Sequence, residues 1–286
     1  MIEFVKFDDC AVPLTAGKAL ADCQVAGKNF REWQKSILSN LSDKTTYYVR
    51  SNAWVSSKDV NWLLDTGKLV SGSIVLASEN KDDLYADVED AISENSFEVK
   101  YAWDLLKVNE QLISGLTETE INGELSERAE VHGNIIVGAG TRILPGVFIE
   151  GNVIIGENCK VGPNCYIRGN TFIGDNCHIG QSVEIKNCLI MNDTNVGHLS
   201  YVGDSVLGVK VNFGAGTTTS NLRHDGANHK SMVNGQLIDT GRRKFGVVIG
   251  DGVHTGINTS FYPGRKVWPG ESTLPAEVVQ KDVVKK

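Results

Sequence analysis

A ladder of aliphatic residues with a six-residue period runs through the second half of the chain. Every sixth position between residues 131 and 185 is Val or Ile. The period slips by one residue after Lys186 and again near Leu207, and after an interruption it returns from Ile249 to Val279. A period of six fits neither an α-helix nor a simple β-hairpin. It predicts a β-solenoid in which short parallel strands stack coil on coil.

The first 120 residues show a different pattern. Short apolar runs alternate with helix-like stretches, as in a small α/β domain, at 2–7, 30–41, 46–49, 73–77 and 84–93. Residues 101–115 resemble an amphipathic helix, which we expect to pack on this domain. The apolar residues near one side of that helix are Trp103, Leu106, Leu112 and Ile113. We therefore predict an α/β domain at 1–120 and a solenoid at 121–286, with an excursion at about 222–246.

Composition and charge exclude several kinds of partner. No apolar run approaches the roughly 20 residues of a membrane span, and the N-terminus lacks a signal-peptide pattern. Residues 1–120 contain 12 Lys and Arg against 20 Asp and Glu, so the net charge of −7 arises there. We expect a cytoplasmic protein that binds neither nucleic acid nor membranes. The six cysteines form no CxxC pair and are expected to be free.

Two stretches inside the ladder carry a more specific signal, Val196-Gly-His-Leu-Ser-Tyr-Val-Gly-Asp204 and Val211-Asn-Phe-Gly-Ala-Gly-Thr217. With Val183-Glu-Ile-Lys-Asn before them, they resemble the acetyltransferase domain of the bifunctional glucosamine-1-phosphate N-acetyltransferase / N-acetylglucosamine-1-phosphate uridylyltransferase. Residues 236–258 are similar to archaeal-type sugar-phosphate nucleotidylyltransferase/acetyltransferases. The resemblance implies a left-handed parallel β-helix, mainly β, in which three hexads complete one coil of 18 residues.

The resemblance extends from about residue 100 to 284, because residues 101–109 are similar to the helix that ends the nucleotidylyltransferase domain in that family. The first 40 residues faintly resemble the start of a divergent bacterial branch. The loop rich in Gly and Arg that binds nucleotide phosphates is missing, and the N-terminal part is truncated. We expect it to be vestigial or structural.

Four residues carry the predicted chemistry. By match to the family motif, His198 is the general base that accepts a proton from the sugar amine, and Glu184 is a carboxylate that orients or polarises it. Arg168 and Lys186 match phosphate-binding residues. They are 18 positions apart, so in a coil of three hexads they stack roughly 4.8 Å apart, and a bound phosphate would offset their repulsion.

The resemblance also implies contacts with the sugar and with acetyl-CoA. Four residues match positions that hold the sugar hydroxyls, the amine or the acetyl group: Tyr201, Asn212, Asn221 and Lys230. His229 is an alternative to Lys230, because the segment is one residue longer than the bacterial pattern. Four further residues are expected to lie along the pantetheine arm of acetyl-CoA, with main-chain N–H groups as donors: Gly214, Ala215, Gly216 and Ile257.

No metal site is predicted. His132, His178 and His254 are expected on different hexad faces and are not spaced as one set, and the His-x₄-His pattern of the related γ-type carbonic anhydrases does not occur. The basic tail at Lys281, Lys285 and Lys286 could contact the phosphates of CoA, or be a frayed terminus.

The sequence therefore predicts a homotrimeric N-acetyltransferase that uses acetyl-CoA and acts on a hexosamine 1-phosphate, either glucosamine 1-phosphate or galactosamine 1-phosphate. Its active sites are expected between subunits. Two alternatives stay open. One is a bifunctional enzyme that also has magnesium-dependent nucleotidylyltransferase activity. The other is a catalytically silent trimeric scaffold or sugar-phosphate sensor.

Overall fold

The computed structural model describes residues 1–39, 41, 45–88 and 93–284. Lys285, Lys286 and part of the predicted helix at 84–93 lie outside the described residues. The chain forms two compact units. The first comprises Met1–Ala11, Lys18–Cys23 and Lys28–Tyr101, and the second comprises Val12–Gly17, Gln24–Gly27 and Ala102–Lys286.

Among the described residues up to Tyr101, the structure has short strands and two α-helices, one of them in the helix-like stretch predicted at 30–41. Residues 84–88 of the stretch predicted at 84–93 form the end of a 3₁₀ turn and an isolated bridge, so that prediction is wrong for its described part. The strands are β1 (Ile2–Val5), β2 (Gln24–Val25), β3 (Lys28–Asn29), β4 (Tyr47–Arg50), β5 (Ala53–Trp54), β6 (Lys68–Ser71), β7 (Ile74–Ser78) and β8 (Phe97–Glu98). The helices are α1 (Phe30–Leu38) and α2 (Val60–Thr66), with 3₁₀ turns at Leu20–Asp22, Ser57–Asp59 and Lys81–Tyr85.

A four-stranded sheet in the order β1-β4-β7-β6 organises the first unit. Helix α1 begins with a capping box, in which Asn29 and Glu32 each accept a hydrogen bond from the other's backbone N–H. Helix α2 ends at Gly67, whose φ of 71° closes the helix. Neither α2 nor β6 was predicted, because each is too short to show a clear period.

The second unit is a parallel β-solenoid, which confirms the fold class predicted from the ladder. Its strands, in chain order, are β9 (Glu120–Ile121), β10 (Glu124–Leu125), β11 (Glu130–His132), β12 (Ile135–Val137), β13 (Arg142–Ile143), β14 (Phe148–Glu150), β15 (Val153–Ile155), β16 (Lys160–Val161), β17 (Tyr166–Arg168), β18 (Thr171–Ile173), β19 (His178–Gln181), β20 (Glu184–Lys186), β21 (Leu189–Ile190), β22 (Asn195–His198), β23 (Tyr201–Gly203), β24 (Val206–Leu207), β25 (Asn212–Phe213), β26 (Thr218–Thr219), β27 (Lys230–Val233), β28 (Gln236–Asp239), β29 (Val247–Ile249), β30 (Ser260–Phe261), β31 (Arg265–Val267) and β32 (Val278–Val279).

Three parallel sheets form the faces of the solenoid. The first face has the order β9-β12-β15-β18-β21-β24-β29-β31, the second β10-β13-β16-β19-β22-β25, and the third β11-β14-β17-β20-β23-β26-β30-β32. From Val137 to Phe213 the ladder residues point inward and are 0% to 3% exposed. The left-handed direction of coiling stays a prediction from the resemblance.

The slips of the ladder shorten one corner of the solenoid, the turn from the third face to the first. Ile167 and Ile185 are Cα partners 18 residues apart, whereas Phe172 and Leu189 are partners only 17 apart. The residues that stack at this shortened corner all have positive φ: Gly151 (92°), Gly169 (72°), Asn187 (52°) and Asp204 (50°).

The interruption of the ladder is an antiparallel hairpin made of β27 and β28. It leaves the coil after β26, and a bridge between Leu222 and Lys244 closes its base. The coil resumes at β29, which pairs in parallel with β24, the strand before it on the same face.

Helix α3 (Ala102–Ser114) belongs to the second unit, where it contacts β2, β18, β21 and β24. Asn109 on this helix donates to the carbonyl oxygen of Asn170 at 3.0 Å. The expectation that this helix packs on the N-terminal part of the sequence holds for β2, but the structure also packs the helix on three solenoid strands, which was not predicted. Along the chain, the last stretch of the first unit ends at Tyr101 and the second unit resumes at Ala102.

All six cysteines are free, as predicted. Among the residues that the structure describes, no helix is long and apolar enough to cross a membrane.

Candidate functional site

Arg168 and Lys186 occupy equivalent positions on adjacent strands of the third face, where their Cα atoms are partners. Each cation lies beside its own carboxylate. Arg168 donates from Nε and Nη2 to Glu184 Oε1 at 3.0 and 2.7 Å. Lys186 Nζ lies 3.0 and 2.7 Å from the two carboxylate oxygens of Asp204. The carboxylates offset the repulsion between the stacked cations, so the predicted stacking does not by itself require a bound anion.

A cavity of about 270 Å³ opens beside the two cations, lined by Glu150, Gly151, Arg168, Gly169 and Lys186. The side chains of Arg168 and Lys186 are 35% and 15% exposed, so both can be reached from this cavity. Its two glycines, Gly151 and Gly169, lie at the corner between the third face and the first, and they have no side chains that would fill the cavity. An entering phosphate could accept charge-assisted hydrogen bonds from both cations.

Asp204 is a residue of this cluster to which the sequence assigned no role. It is 3% exposed, and its carboxylate also accepts from Asn187 Nδ2 at 3.2 Å and from Asn221 Nδ2 at 2.5 Å. The slip of the ladder was a signal that could have identified it. A coil that is one residue shorter places Asp204 directly above Asn187 at this corner.

Tyr201 and Asn221 form one hydrogen-bonded pair next to Asp204. Asn221 Nδ2 donates to the Tyr201 hydroxyl oxygen at 3.0 Å. Burial raises the pKa of Tyr201, and the charges of Asp204 and Glu184 raise it further. The tyrosine therefore keeps its proton. Because its oxygen already accepts a bond from Asn221, that proton can be donated to a ligand.

His198 ends strand β22 on the second face, where Gln181 is its Cα partner, and its side chain is exposed. The structure does not show the predicted contact between Glu184 and His198. Glu184 Oε1 instead accepts both hydrogen bonds from Arg168, and no hydrogen bond joins the carboxylate to the imidazole among the described residues. Glu184 lies on the third face, around a corner from His198, which is the geometric reason for the difference.

Asn212 lies on the second face with His198, on the neighbouring strand β25. Its Cα partners are Asn195 on one side and His254 on the other. The predicted site residues therefore form two groups, one on the third face and its shortened corner, and one on the second face.

The expectation that the Gly214–Gly216 turn supplies free N–H donors is not met at its two glycines. The N–H of Gly214 donates to the carbonyl and hydroxyl oxygens of Thr255 at 3.2 and 2.9 Å, and the N–H of Gly216 donates to His198 O at 3.1 Å. A Cβ at Gly214 would lie 2.7 Å from backbone atoms of the next coil. The glycine there accommodates the adjacent coil. Ala215 and Ile257 occupy the same edge, with the Ile257 side chain exposed.

The structure separates Lys230 from His229. Lys230 begins β27 and is exposed. His229 is 2% exposed, and its Nε2 lies 3.0 Å from the carbonyl oxygen of Asn221. His229 therefore holds the backbone of Asn221 and is not placed to contact a ligand.

The burial of His229 predicts a pH dependence of stability. Burial lowers the pKa of His229 below its ordinary value, whereas in the unfolded chain it is about 6.5. The contribution of the neutral imidazole is complete above the unfolded pKa and is lost as pH falls through it toward the lowered folded pKa. We expect the difference in thermal midpoint between wild type and His229→Gln to shrink from pH 7 to pH 5. The buried hairpin substitution Val233→Ala is the control, and its difference should stay constant; a constant difference for His229→Gln would contradict the prediction.

A larger cavity of about 580 Å³ lies farther along the third face, and the sequence did not predict it. Its lining is Thr218, Ser220, Leu222, Arg223, His224, Asp225, Ser260, Phe261, Tyr262 and Pro263. Thr218 is the Cα partner of Tyr201, so this cavity adjoins the Tyr201 group.

Within the described ranges, no three His, Cys, Asp or Glu side chains gather in a metal-binding arrangement.

Known proteins match the part of the chain that contains the solenoid. A family model described as the GMPPB C-terminal domain matches residues 149–272. A protein of Sulfurisphaera tokodaii named bifunctional sugar-1-phosphate nucleotidylyltransferase/acetyltransferase is 40% identical over 181 residues, 63% of this chain and 45% of the relative.

Proteins named bifunctional protein GlmU give similar matches. The one from Methanococcus aeolicus is 40% identical over 185 residues, 63% of this chain and 44% of the relative. The one from Methanocaldococcus jannaschii is 40% identical over 176 residues, 60% of this chain and 43% of the relative. The chain spans less than half the length of these relatives. The homologues of this chain thus include proteins named bifunctional sugar-1-phosphate nucleotidylyltransferase/acetyltransferase and bifunctional protein GlmU, and the likeness covers the C-terminal part that contains the solenoid.

Proposed function

We propose that the solenoid transfers an acetyl group from acetyl-CoA to the amine of a hexosamine 1-phosphate, with glucosamine 1-phosphate as the first candidate acceptor and galactosamine 1-phosphate as the second. The observation that carries the proposal is the third-face cluster, where Arg168 and Lys186 stand in register beside a reachable cavity. The relatives' names, which combine sugar-1-phosphate and acetyltransferase, support the same chemistry.

The third-face group binds the acceptor in this proposal. Arg168 and Lys186 hold the phosphate through charge-assisted hydrogen bonds. The Tyr201 hydroxyl donates to a sugar oxygen, and Asn221 fixes the direction of that hydroxyl. Lys230, exposed at the start of the hairpin, is a further contact from the same side.

The chemical step is a direct attack without a covalent enzyme intermediate. The amine nitrogen forms a bond to the thioester carbonyl carbon, the carbon–sulfur bond breaks, and CoA leaves as its thiol. His198 accepts the proton that the nitrogen loses and passes it to the departing sulfur, so that CoA leaves as the neutral thiol. Asn212, on the same face as His198, is the amide that could donate to the acetyl oxygen, since the N–H groups of Gly214 and Gly216 are already bonded within the coil.

We also propose a homotrimer with sites between neighbouring subunits. The support is that the proposed acceptor contacts and the proposed base belong to different faces of one chain. Arg168, Lys186, Tyr201 and Asn221 lie on the third face and its corner, whereas His198 and Asn212 lie on the second face. A neighbouring copy could bring its second face against this third face, so that both groups surround one substrate. Acetyl-CoA would lie along the edge that carries Ala215 and Ile257.

The proposal is tested by the release of free thiol from acetyl-CoA over a panel of amino-sugar phosphates and amino sugars without phosphate. We expect thiol release with a hexosamine 1-phosphate and much slower release without the phosphate. An acetyltransferase role is excluded if no amino-sugar phosphate in the panel releases thiol from a protein that light scattering shows to be trimeric. That result would favour a silent scaffold.

Removing the Arg168 guanidinium tests the phosphate contact. We expect Arg168→Ala to raise KM for the acceptor by about 10- to 100-fold, the loss typical of a hydrogen bond to a charged group, with a smaller change in KM for acetyl-CoA. Arg142→Ala is the matched control, because Arg142 also pairs with a glutamate on a solenoid strand but lies on the second face. Steady-state kinetics that show equal acceptor KM values for the two variants would contradict the assignment.

A further inference from the structure

We propose that Asp204 is the positioning residue of the acceptor site, and that it acts by holding Lys186 and the Asn221–Tyr201 pair in place. The inference rests on the proposed function and deepens it, because it names a residue on which the acceptor contacts depend. Asp204 itself does not touch the acceptor.

The hydrogen bonds of Asp204 account for all of its acceptor capacity. Oδ1 accepts from Lys186 at 3.0 Å and from Asn187 at 3.2 Å, while Oδ2 accepts from Lys186 at 2.7 Å and from Asn221 at 2.5 Å. Two carboxylate oxygens offer about four lone-pair positions. With those positions used and the side chain 4% exposed, the carboxylate has no free position from which to accept a proton from substrate. Asp204 therefore works through its neighbours.

The effect on Lys186 is geometric as well as electrostatic. A lysine ammonium has three N–H donors on a flexible stem. Two are directed at Asp204, which fixes the position of Nζ and leaves the third donor for a ligand. Without Asp204 the ammonium would sample several positions, and binding would have to order it.

The surroundings hold Asp204 itself in place. Its backbone lies at the shortened corner with a φ of 50°, and its N–H donates to Lys186 O at 2.7 Å. Asn187, one of its donors, also donates to Glu110 Oε1 at 2.7 Å. Glu110 in turn pairs with Arg242 at the base of the hairpin. Helix α3 and the hairpin therefore support the same carboxylate.

The neighbouring residue Gly203 makes room for this arrangement. A Cβ at Gly203 would lie 2.5 Å from the Tyr201 hydroxyl oxygen and 2.6 Å from Asn221 Nδ2. Only a residue without a side chain leaves the Tyr201–Asn221 pair beside Asp204. Gly203 and Asp204 thus determine together where the donors of the acceptor site point.

The test is the substitution Asp204→Asn, which keeps the size of the side chain and its tolerance of positive φ. The control is Asp193→Asn, because Asp193 has a similar φ of 60° and its side chain accepts from the exposed Asn176 at 3.2 Å. We expect Asp204→Asn to raise KM for the hexosamine 1-phosphate by about 10-fold or more, with kcat and KM for acetyl-CoA changed by less than about threefold. Asp193→Asn should match wild type in all three constants.

The outcomes separate this inference from the proposed function. If wild type releases no thiol with any acceptor, the proposed function is wrong and the inference falls with it. If wild type is active and Asp204→Asn keeps the wild-type KM for the acceptor, only the inference is overturned. A selective loss of kcat would also overturn it, since that would mean direct participation in the chemical step.

A second comparison applies if Asp204→Asn does not fold. The double variant with Lys186→Gln and Asp204→Asn, in which both side chains are uncharged, is compared with the single variant Lys186→Gln for its acceptor KM. Lys186 makes two of the four hydrogen bonds to Asp204, and once it is removed only the hold on the Asn221–Tyr201 pair remains to be lost. We therefore expect the acceptor KM values of the two proteins to lie within about threefold of each other. A further loss of about 10-fold or more in the double variant would overturn the inference that holding Lys186 is a main part of what Asp204 does.

Discussion

Replacing His198 with alanine is expected to lower kcat for acetyl transfer by about 10²- to 10⁴-fold, the range typical of losing a general base. KM for the acceptor should change little, because the proposed phosphate and hydroxyl contacts come from the third face. Stopped assays of thiol release against acceptor concentration separate the two constants.

The matched control for this substitution is His132→Ala. His132 also ends a solenoid strand and is exposed, but it lies on β11, far from β22 in the order of coils. Its kinetic constants should equal those of wild type. A His198→Ala enzyme with wild-type kcat would remove His198 from the mechanism while leaving the acceptor contacts open to separate test.

The second large effect concerns stability. At Gly180 an added Cβ would lie 1.7 Å from the carbonyl oxygen of Gly197 on the next coil. Since that atom belongs to the backbone, adjacent coils must move apart, which places Gly180→Ala at or above the upper end of the roughly 1 to 3 kcal/mol cost of overpacking. Scaled to a protein of this size, the thermal midpoint should fall by about 6 to 12 °C.

Gly197→Ala is a control of the same chemistry one coil away. Around Gly197 no atom lies within 4 Å of the position of an added Cβ. We expect its thermal midpoint, followed by circular dichroism, to stay within about 2 °C of wild type. Equal midpoints for the two variants would mean that the coils are not packed as tightly as the backbone positions imply.

The solenoid could be predicted because each coil repeats one physical requirement. An inward position on a short strand must be apolar, and residues such as Ile167 and Ile185 meet that requirement at a fixed interval. The interval also predicted the register of Arg168 with Lys186. The direction of coiling and the assembly of subunits have no comparable periodic signal, and they stay predictions from the resemblance.

The pairing of side chains around the site could not be read from the same interval. Glu184 stands two residues before Lys186, and the interval does not show which cation or imidazole its side chain reaches. In the structure it reaches Arg168. Asp204 depends on a coil shortened by one residue, so its place beside Lys186 follows from the slip of the ladder, which the sequence shows but does not explain.

Helix α3 illustrates a different limit. Its amphipathic pattern shows that one side is buried, but not which surface buries it. Polar residues such as Asn109 and Glu110 form hydrogen bonds with the solenoid. Such hydrogen bonds do not recur at a fixed interval, so the sequence does not reveal them.

The hairpin between β26 and β29 has a consequence for how such a chain can change over time. Strands β24 and β29 pair directly although a whole hairpin lies between β26 and β29 in the chain, so a corner can gain or lose a long segment while the inward ladder keeps its register. Insertions at corners are therefore nearly free of the constraints that act on the core. A lineage could lengthen, shorten or replace the hairpin without having to redesign the stacked coils that hold Arg168, Lys186 and Asp204.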